Sequence, residues 1–234
     1  MAQTLSFRLV THLISLVFVA LSIGWMWQDF SSFPPMEATS MILGYVSFVL
    51  IGLTLLIGPI KSLLPARIGS ACLSIRRDVG IWAGLTALIH VVLVLILFSG
   101  EPRLMIIDQS LMEQSQHGWL RLFFVFYPHE AGWPDLRWSL IGVANYLGLI
   151  AFLMILALLL TSSDRAAKQL GGSTWKRLHL ANPFLFLLVV VHGLTYIQFI
   201  KGEPHSLSDI LLFAFAVWIV RTILFWRTLW QRQR

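Results

Sequence analysis

Six long apolar runs, separated by charged and turn-forming residues, follow one another along the chain. A helix needs about 20 mostly apolar residues to cross the hydrocarbon core of a bilayer. The first run is longer than the apolar stretch of a signal peptide, so we expect it to be retained as a helix. The pattern therefore predicts an all-α integral membrane protein, a single domain of six transmembrane helices near residues 8–27, 40–60, 78–99, 138–161, 175–199 and 207–226.

Two features of the connections and runs modify this picture. Pro183 lies inside the fifth run, where its missing N–H predicts a kink. The longest connection, residues 100–137, is too apolar for a solvated loop and too interrupted for a span. We expect it to lie at the outer surface of the bilayer, in contact with lipid, through an interfacial aromatic segment that includes Trp119, Phe123, Phe124, Phe126, Tyr127 and Trp133.

Basic residues are sorted by the side of the membrane on which this arrangement places them. One side has Arg103, Arg121, Arg137 and Lys201. The other side has Arg8, Lys61, Arg67, Arg76, Arg77, Arg165, Lys168, Lys176, Arg177, Arg221, Arg227, Arg232 and Arg234. Because cytoplasmic loops carry the excess of Lys and Arg, we expect both termini to be cytoplasmic and the loop of residues 100–137 to be extracytoplasmic.

Composition supports a membrane protein and excludes several kinds of site. The chain of 234 residues is 57% hydrophobic and 12% charged, unlike an average soluble domain. Its net charge of +6 is explained by the sorting of basic residues, so we expect no nucleic-acid partner. The single cysteine excludes an internal disulfide, an iron–sulfur cluster held by this chain alone and a covalently attached c-type haem. There is no Gly-rich nucleotide-binding motif.

The third and fifth runs each contain a histidine deep inside, His90 and His192. An ionisable side chain at such a depth disfavours insertion and usually marks a ligand site or a pathway. Counted from the cytoplasmic ends of their runs, His90 lies about 18 Å and His192 about 25 Å into the membrane, so both belong to the outer half. Neutral imidazole is a common axial ligand of haem iron. The pair therefore predicts a haem site, and the alternative is two structural, hydrogen-bonding histidines.

The other histidines divide by position. His179 lies near the cytoplasmic end of the fifth run, about 20 Å from His192, which is too far for both to bind one iron. We expect it either to hold an inner cofactor or to be structural. His12, at the inner end of the first run, is expected among lipid headgroups or, alternatively, beside His179. The histidines that we expect to be solvated are His117, His129 and His205.

A short pattern at the start of the third run carries a family resemblance. The segment from Ile75 to Trp82 reads I-R-R-x-x-G-x-W, and Ala87 to His90 reads A-x-x-H. This resembles the ferric reductase-like transmembrane domain family, and within it the haem-binding membrane subunits of periplasmic methionine sulfoxide reductase systems. The resemblance covers most of the chain, with further matches at Leu55 to Pro59, Thr161 to Ser163, Leu170, Gly171, Trp175, Leu178, His179 and His192.

The resemblance implies a b-type cytochrome of six helices that carries electrons across the membrane. His90 and His192 would be the axial ligands of an outer haem b. Two-haem members of the family have another histidine 14 residues before the first, and here that position holds Arg76. The inner cofactor near His179 is therefore expected to be FMN or a second haem with different ligation. Arg76 and Arg77 would bind its phosphate or propionates, or would only set the topology.

We thus expect an oxidoreductase component of a bacterial inner membrane. Electrons would enter from a cytoplasmic flavin reductase or from quinol and leave to an extracytoplasmic redox partner protein, such as a periplasmic methionine sulfoxide reductase. One alternative is a stand-alone ferric reductase. Another is a histidine-dependent proton or metal transporter, which predicts discontinuous helices and mid-membrane carboxylates. No Asp or Glu is expected in the interior of any span.

Overall fold

The computed structural model describes residues 2–99, 118–126, 133–201 and 207–233, and most of these residues are helical. A 3-10 turn, Lys61–Leu63, follows the second helix, and a π turn, Tyr196–Lys201, follows the seventh. In the order of the chain, the helices are α1 (Ala2–Met26), α2 (Pro35–Ile60), α3 (Ala66–Ser99), α4 (Leu140–Leu160), α5 (Asp164–Leu170), α6 (Gly172–His179), α7 (Asn182–Thr195) and α8 (Leu207–Gln233).

Six helical segments of the described chain are long and apolar enough to cross a membrane. This confirms the predicted all-α membrane fold, while the cytoplasmic position of both termini stays a prediction. The segments are Phe7–Met26, Pro35–Leu63, Ala71–Phe98, Leu140–Leu160, Gly172–Ile200 and Leu207–Gln231.

The fifth span is interrupted near its N-terminal end. Its first part, α6, ends at His179, and α7 begins at Asn182. Leu180 still donates its N–H to the carbonyl of Lys176, at 3.0 Å, but Pro183 has no N–H to continue the pattern and lies in the first turn of α7 instead. The kink predicted at Pro183 is thus a break between two helices. His179 and His192 consequently lie on separate helices. The relative directions of their side chains are therefore not fixed by the 3.6-residue turn of one ideal helix.

Helix α2 lies at the centre of the bundle and is the most buried of the six spans. It packs against α1, α3, α7 and α8, while α4 packs against α3 and α7. Without a hydrophobic driving force between helices in lipid, close packing depends on small side chains at the contacts. Gly52 shows this at the centre of α2, because a Cβ there would lie 2.5 Å from the Phe213 ring of α8.

The described part of the outer loop forms a compact cap on the ends of α3 and α4. A 3-10 turn, Trp119–Leu122, leads into a two-stranded antiparallel pair, β1 (Phe124–Val125) and β2 (Asp135–Leu136). This hairpin was not predicted from the sequence. Buried Asn145 of α4 donates from Nδ2 to the carbonyl of Leu122, at 2.8 Å. The loop is therefore attached to the bundle by hydrogen bonds, while its predicted residue Tyr127 lies outside the described residues.

Candidate functional site

His90 projects from α3 toward α2, where its ring is held by a hydrogen bond. Its Nδ1 lies 2.7 Å from the carbonyl oxygen of Ser40, and the Ser40 hydroxyl is 3.1 Å from the same nitrogen. A carbonyl oxygen can only accept, so Nδ1 carries the proton in this bond. The neutral ring then keeps the lone pair on Nε2, and no hydrogen bond to Nε2 is found among the described residues.

His192 is held in the same way from the other side of the bundle. It projects from α7 toward α4, and its Nδ1 lies 2.8 Å from the carbonyl oxygen of Ala144. Nδ1 is again the donor, and within the described ranges Nε2 again has no hydrogen-bonding partner. A histidine that ligates a metal generally donates its other N–H to a carbonyl or carboxylate, which sets the tautomer and the ring orientation.

Glycines on the neighbouring helices make room for both rings. A Cβ at Gly148 of α4 would lie 2.7 Å from Cε1 and 2.8 Å from Nδ1 of His192. A Cβ at Gly44 of α2 would lie 3.3 Å from both Cε1 and Nδ1 of His90. Separations below 3.0 Å are essentially never seen for a Cβ, so the position of the His192 ring depends on the glycine opposite it.

The two histidines also lie near each other. Helix α4 packs against both α3 and α7, and a charge on His192 would act electrostatically on His90. Both side chains are only half-buried, so part of each ring borders open space. Two neutral imidazoles, each held at Nδ1 and open at Nε2, are a suitable donor set for a six-coordinate haem iron. The residues present therefore fit the haem that the sequence predicts.

A second group of polar residues lies at the other end of the third and fifth spans. The imidazole of His179 packs on the indole of Trp175, with ring centroids 4.3 Å apart, and Nε2 is 3.5 Å from the hydroxyl of Thr161. Trp175 donates from Nε1 to the Thr161 carbonyl, at 2.9 Å. Arg76 of α3 lies against α2, where a Cβ at Gly58 would be 3.4 Å from its Nη1. The structure thus holds His179 against Trp175 and Thr161 and holds Arg76 against α2.

Arg77 has a different position from Arg76. Its guanidinium forms an ion pair with Asp164, the first residue of α5, whose side chain is 75% exposed. The pair links α3 to the short surface helix. Arg77 therefore has an acidic partner, and its role in holding a cofactor stays a prediction.

Asp78 is a buried carboxylate that the sequence pattern placed at the end of a span. It is 0% exposed, and the candidate span Ala71–Phe98 begins seven residues before it. Arg8 of α1 donates to Asp78 Oδ1 at 3.1 Å. His12 Nε2 lies 3.7 Å from the same oxygen, and His12 Nδ1 accepts from the Trp82 indole at 3.1 Å.

The contacts among Arg8, His12, Asp78 and Trp82 explain the position of His12 without a cofactor. His12 and Arg8 are four residues apart on α1, and Trp82 and Asp78 are four residues apart on α3. Residues with that spacing share a helix face, so the matched pairs were a signal visible in the sequence. His12 therefore contacts Asp78 and Trp82 of α3, which the sequence reading did not predict.

The remaining candidate positions are less informative. His117, His129 and His205 lie outside the described residues. Over the described ranges, no group of three or more His, Cys, Asp or Glu side chains is arranged to hold a metal ion.

Comparisons with known proteins indicate the family of the chain. Residues 43–190 match the family model described as ferric reductase like transmembrane component, a range that includes both His90 and the break before α7. The magnetosome protein MamZ of Magnetospirillum gryphiswaldense is 35% identical over 96 residues, which are 36% of this chain and 15% of MamZ. The protein-methionine-sulfoxide reductase heme-binding subunit MsrQ of Azospira oryzae is 33% identical over 103 residues, 41% of each chain.

The chain thus matches less than half the length of these curated relatives. The family model, however, covers more than half of the chain, from the centre of α2 to the middle of α7. Together with the six spans, this match shows that the chain belongs to the ferric reductase-like transmembrane family.

Proposed function

We propose that this chain is the b-type haem subunit of a membrane electron-transfer system, with His90 and His192 as the axial ligands of an outer haem. The observation that carries the proposal is the matched state of the two imidazoles. Each donates from Nδ1 to a backbone carbonyl and presents Nε2. The comparisons support a redox role, since the relative from Azospira oryzae is named a heme-binding subunit.

The protein's own residues act here by holding ligands in place. The carbonyls of Ser40 and Ala144 keep the imidazoles in one tautomer and one orientation, which reduces the structural change that accompanies a change of charge at the iron. When bound, haem supplies a one-electron carrier that alternates between ferric and ferrous iron. If His90 and His192 both held the iron, the group would carry electrons and would not bind a substrate. That arrangement suits electron transfer.

The rest of the bundle is compatible with electron transfer across the membrane. The outer histidines and the inner group at His179 are about 20 Å apart along the helices. Between them lies a layer of aromatic rings. The ring of Phe48 stacks on that of Phe186, with centroids 5.4 Å apart, and makes an edge contact with that of Phe213, with centroids 5.2 Å apart. Phe48 and Phe186 of this layer are buried, and their rings pack against each other and against Phe213 inside the bundle.

We propose that electrons enter at the cytoplasmic end, from a flavin reductase or from quinol, and reach the outer haem through FMN or a second haem held near His179. They would leave to an extracytoplasmic partner, for which a methionine sulfoxide reductase is the candidate suggested by the relative's name. The direction depends on the positive-inside rule. A bacterial inner membrane is the location that this system requires.

Two observations favour the transporter alternative, and both have another explanation. The fifth span is discontinuous, and Asp78 is a buried carboxylate within the third. However, the break follows from Pro183, and Asp78 is paired with Arg8 between α1 and α3. Both features therefore have a structural explanation that does not require transport. The haem proposal accounts for His90 and His192, which a transporter would leave as isolated buried histidines.

The test is the absorbance spectrum of the protein purified from haem-replete cells, oxidised and then reduced with dithionite. We expect the spectrum of low-spin, six-coordinate b-type haem, and a pyridine haemochrome assay that gives at least one haem per chain. A colourless preparation, or one that contains zinc in place of haem, would contradict the proposal.

A further inference from the structure

Tyr196 packs directly against the ring of His192. It is the first residue of the π turn and follows His192 by four residues, a spacing that places both side chains on the same helix face. The centroids of the two rings are 5.0 Å apart, and the ring planes are tilted by 52°. Three groups therefore surround the His192 ring, which are the carbonyl of Ala144, the backbone at Gly148 and the ring of Tyr196.

The hydroxyl of Tyr196 is held in turn by Asn145 of α4. Asn145 is 8% exposed, and both ends of its amide are hydrogen-bonded. The carbonyl of Leu122 can only accept, so the amide group that faces it is the Nδ2 donor. Oδ1 is then the acceptor for the Tyr196 hydroxyl, and the orientation of the amide is fixed. One buried side chain thus connects the outer loop to the tyrosine beside His192.

Attachment of the outer loop does not by itself account for this arrangement. The loop is also held by Tyr146, the next residue of α4, whose hydroxyl donates to the carbonyl of Phe123. The bond between Asn145 and Tyr196 does not involve the loop, because it joins α4 to the π turn. Its direct effect is to prevent the tyrosine ring from rotating away from His192.

We propose that Asn145 and Tyr196 are positioning residues of the outer haem site, which hold the His192 imidazole in place and connect it to the outer loop. The proposal rests on the proposed function in that it takes His192 as an iron ligand. Both residues act through His192 and not on the iron. The hydrogen bond from Nδ1 to Ala144 makes the imidazole a more basic ligand, which favours ferric iron. Without Tyr196 to hold it, the ring rotates and this bond weakens, so the midpoint potential rises.

The first experiment is a redox titration of the outer haem, followed by its absorbance. Tyr196→Phe keeps the ring and loses the hydroxyl, whereas Asn145→Leu loses both hydrogen bonds of the amide. We expect the ratio of ferrous to ferric haem at a fixed ambient potential to rise about threefold in each variant, which is about 28 mV at roughly 59 mV per tenfold change for one electron. The double variant should show the shift of Asn145→Leu alone, because both changes break the same chain of contacts.

Tyr146→Phe is the matched control. It also removes a tyrosine hydroxyl, together with a hydrogen bond to the outer loop, but it leaves the contacts among Asn145, Tyr196 and His192 in place. We expect its midpoint potential to equal that of the unmodified protein. An equal shift in Tyr146→Phe and Tyr196→Phe would overturn the proposal, because a loosened loop would then explain both. An unchanged potential in Tyr196→Phe would also overturn it, while the outer haem and the proposed function would stand.

A second measurement, on the full chain freed of haem, decides the proposal independently of the iron. The histidines are labelled with a heavy nitrogen isotope, and the ring signals of His192 are assigned by their loss in His192→Ala. We expect the unmodified protein to carry the His192 proton on Nδ1 and Tyr196→Phe to show a mixture of both tautomers. The same single tautomer in both proteins would overturn the proposal. Absence of haem from the unmodified protein as purified refutes the proposed function, and the tautomers still show whether Tyr196 positions the ring.

Discussion

The imidazole of His192 lies directly against Gly148, so close that a Cβ at Gly148 would be 2.7 Å from Cε1 of the ring. The ring cannot simply move aside, because its Nδ1 is bonded to the carbonyl of Ala144 on the same neighbouring helix. We therefore predict that Gly148→Ala displaces or tilts the imidazole and weakens the iron bond. Overpacking of this kind costs about 1–3 kcal/mol. The measurement is the oxidised spectrum, in which a high-spin fraction should appear, together with faster haem loss.

A matched control comes from the next residue along α7. Gly193 has nothing within 4 Å of an added Cβ, so Gly193→Ala should leave the spectrum unchanged. Gly44→Ala, with its Cβ 3.3 Å from the His90 ring, should give an intermediate effect. A normal low-spin spectrum in Gly148→Ala, or an equal change in Gly193→Ala, would show that the ring position is not set by this contact.

We also predict that His90 and His192 behave as one unit. Replacing either by Ala leaves the iron with one protein ligand, so both variants should lose or severely alter the same haem signal. His117→Ala and His205→Ala should retain it. The measurement is the reduced-minus-oxidised spectrum normalised to protein. If the outer-loop variants lost the signal and the two span variants kept it, the ligand assignment would be wrong.

The two histidines could be predicted from the sequence, but the groups that orient their rings could not. A histidine in an apolar run is conspicuous because its burial is costly, so His90 and His192 stand out in the amino-acid sequence alone. The groups that orient them are the backbone carbonyls of Ser40 and Ala144. Every residue has a carbonyl, so this part of the site has no signature in the sequence and depends on how the helices pack.

The arginines illustrate a second limit. The positive-inside rule alone predicts basic residues at the cytoplasmic ends of spans. It predicts Arg76, Arg77 and Arg221 equally, so it does not show that their partners differ. Only the structure shows that Arg77 pairs with Asp164, while Arg76 and Arg221 have no acidic partner among the described residues. The outer hairpin was missed for a similar reason, because strands of two residues are too short to show an alternating pattern.

The ion pair between Arg8 and Asp78 gives a prediction about stability. Asp78 is fully buried, so Asp78→Ala leaves the Arg8 guanidinium, which is 36% exposed, facing α3 without its partner. Removing one member of a buried pair costs about 1–3 kcal/mol or more, because the other charge stays desolvated. We expect a lower midpoint of thermal unfolding, followed by haem absorbance in detergent, with an unchanged spectrum at low temperature.

The double variant tests whether the cost comes from the unpaired charge. In Arg8→Met with Asp78→Ala no charge is left between α1 and α3, so the stability should recover part of the loss caused by Asp78→Ala alone. Equal losses in the single and double variants would indicate that packing, and not the charge, determines the effect.

The last prediction separates the inner group from the outer haem. His179 is about 20 Å from His192 along the helix axes, and it contacts Trp175 and Thr161, which do not touch the outer histidines. His179→Ala should therefore leave the main low-spin signal intact but slow its reduction by a cytoplasmic donor, measured by stopped-flow absorbance with a flavin reductase and NADPH. Reduction by dithionite should be unchanged, since this small reagent does not need the inner cofactor. Ser173→Ala, at an exposed position of the same short helix, is the control. If His179→Ala removed the main haem signal, or if both donors reduced the variant at the normal rate, His179 would have no role in delivering electrons to the outer site.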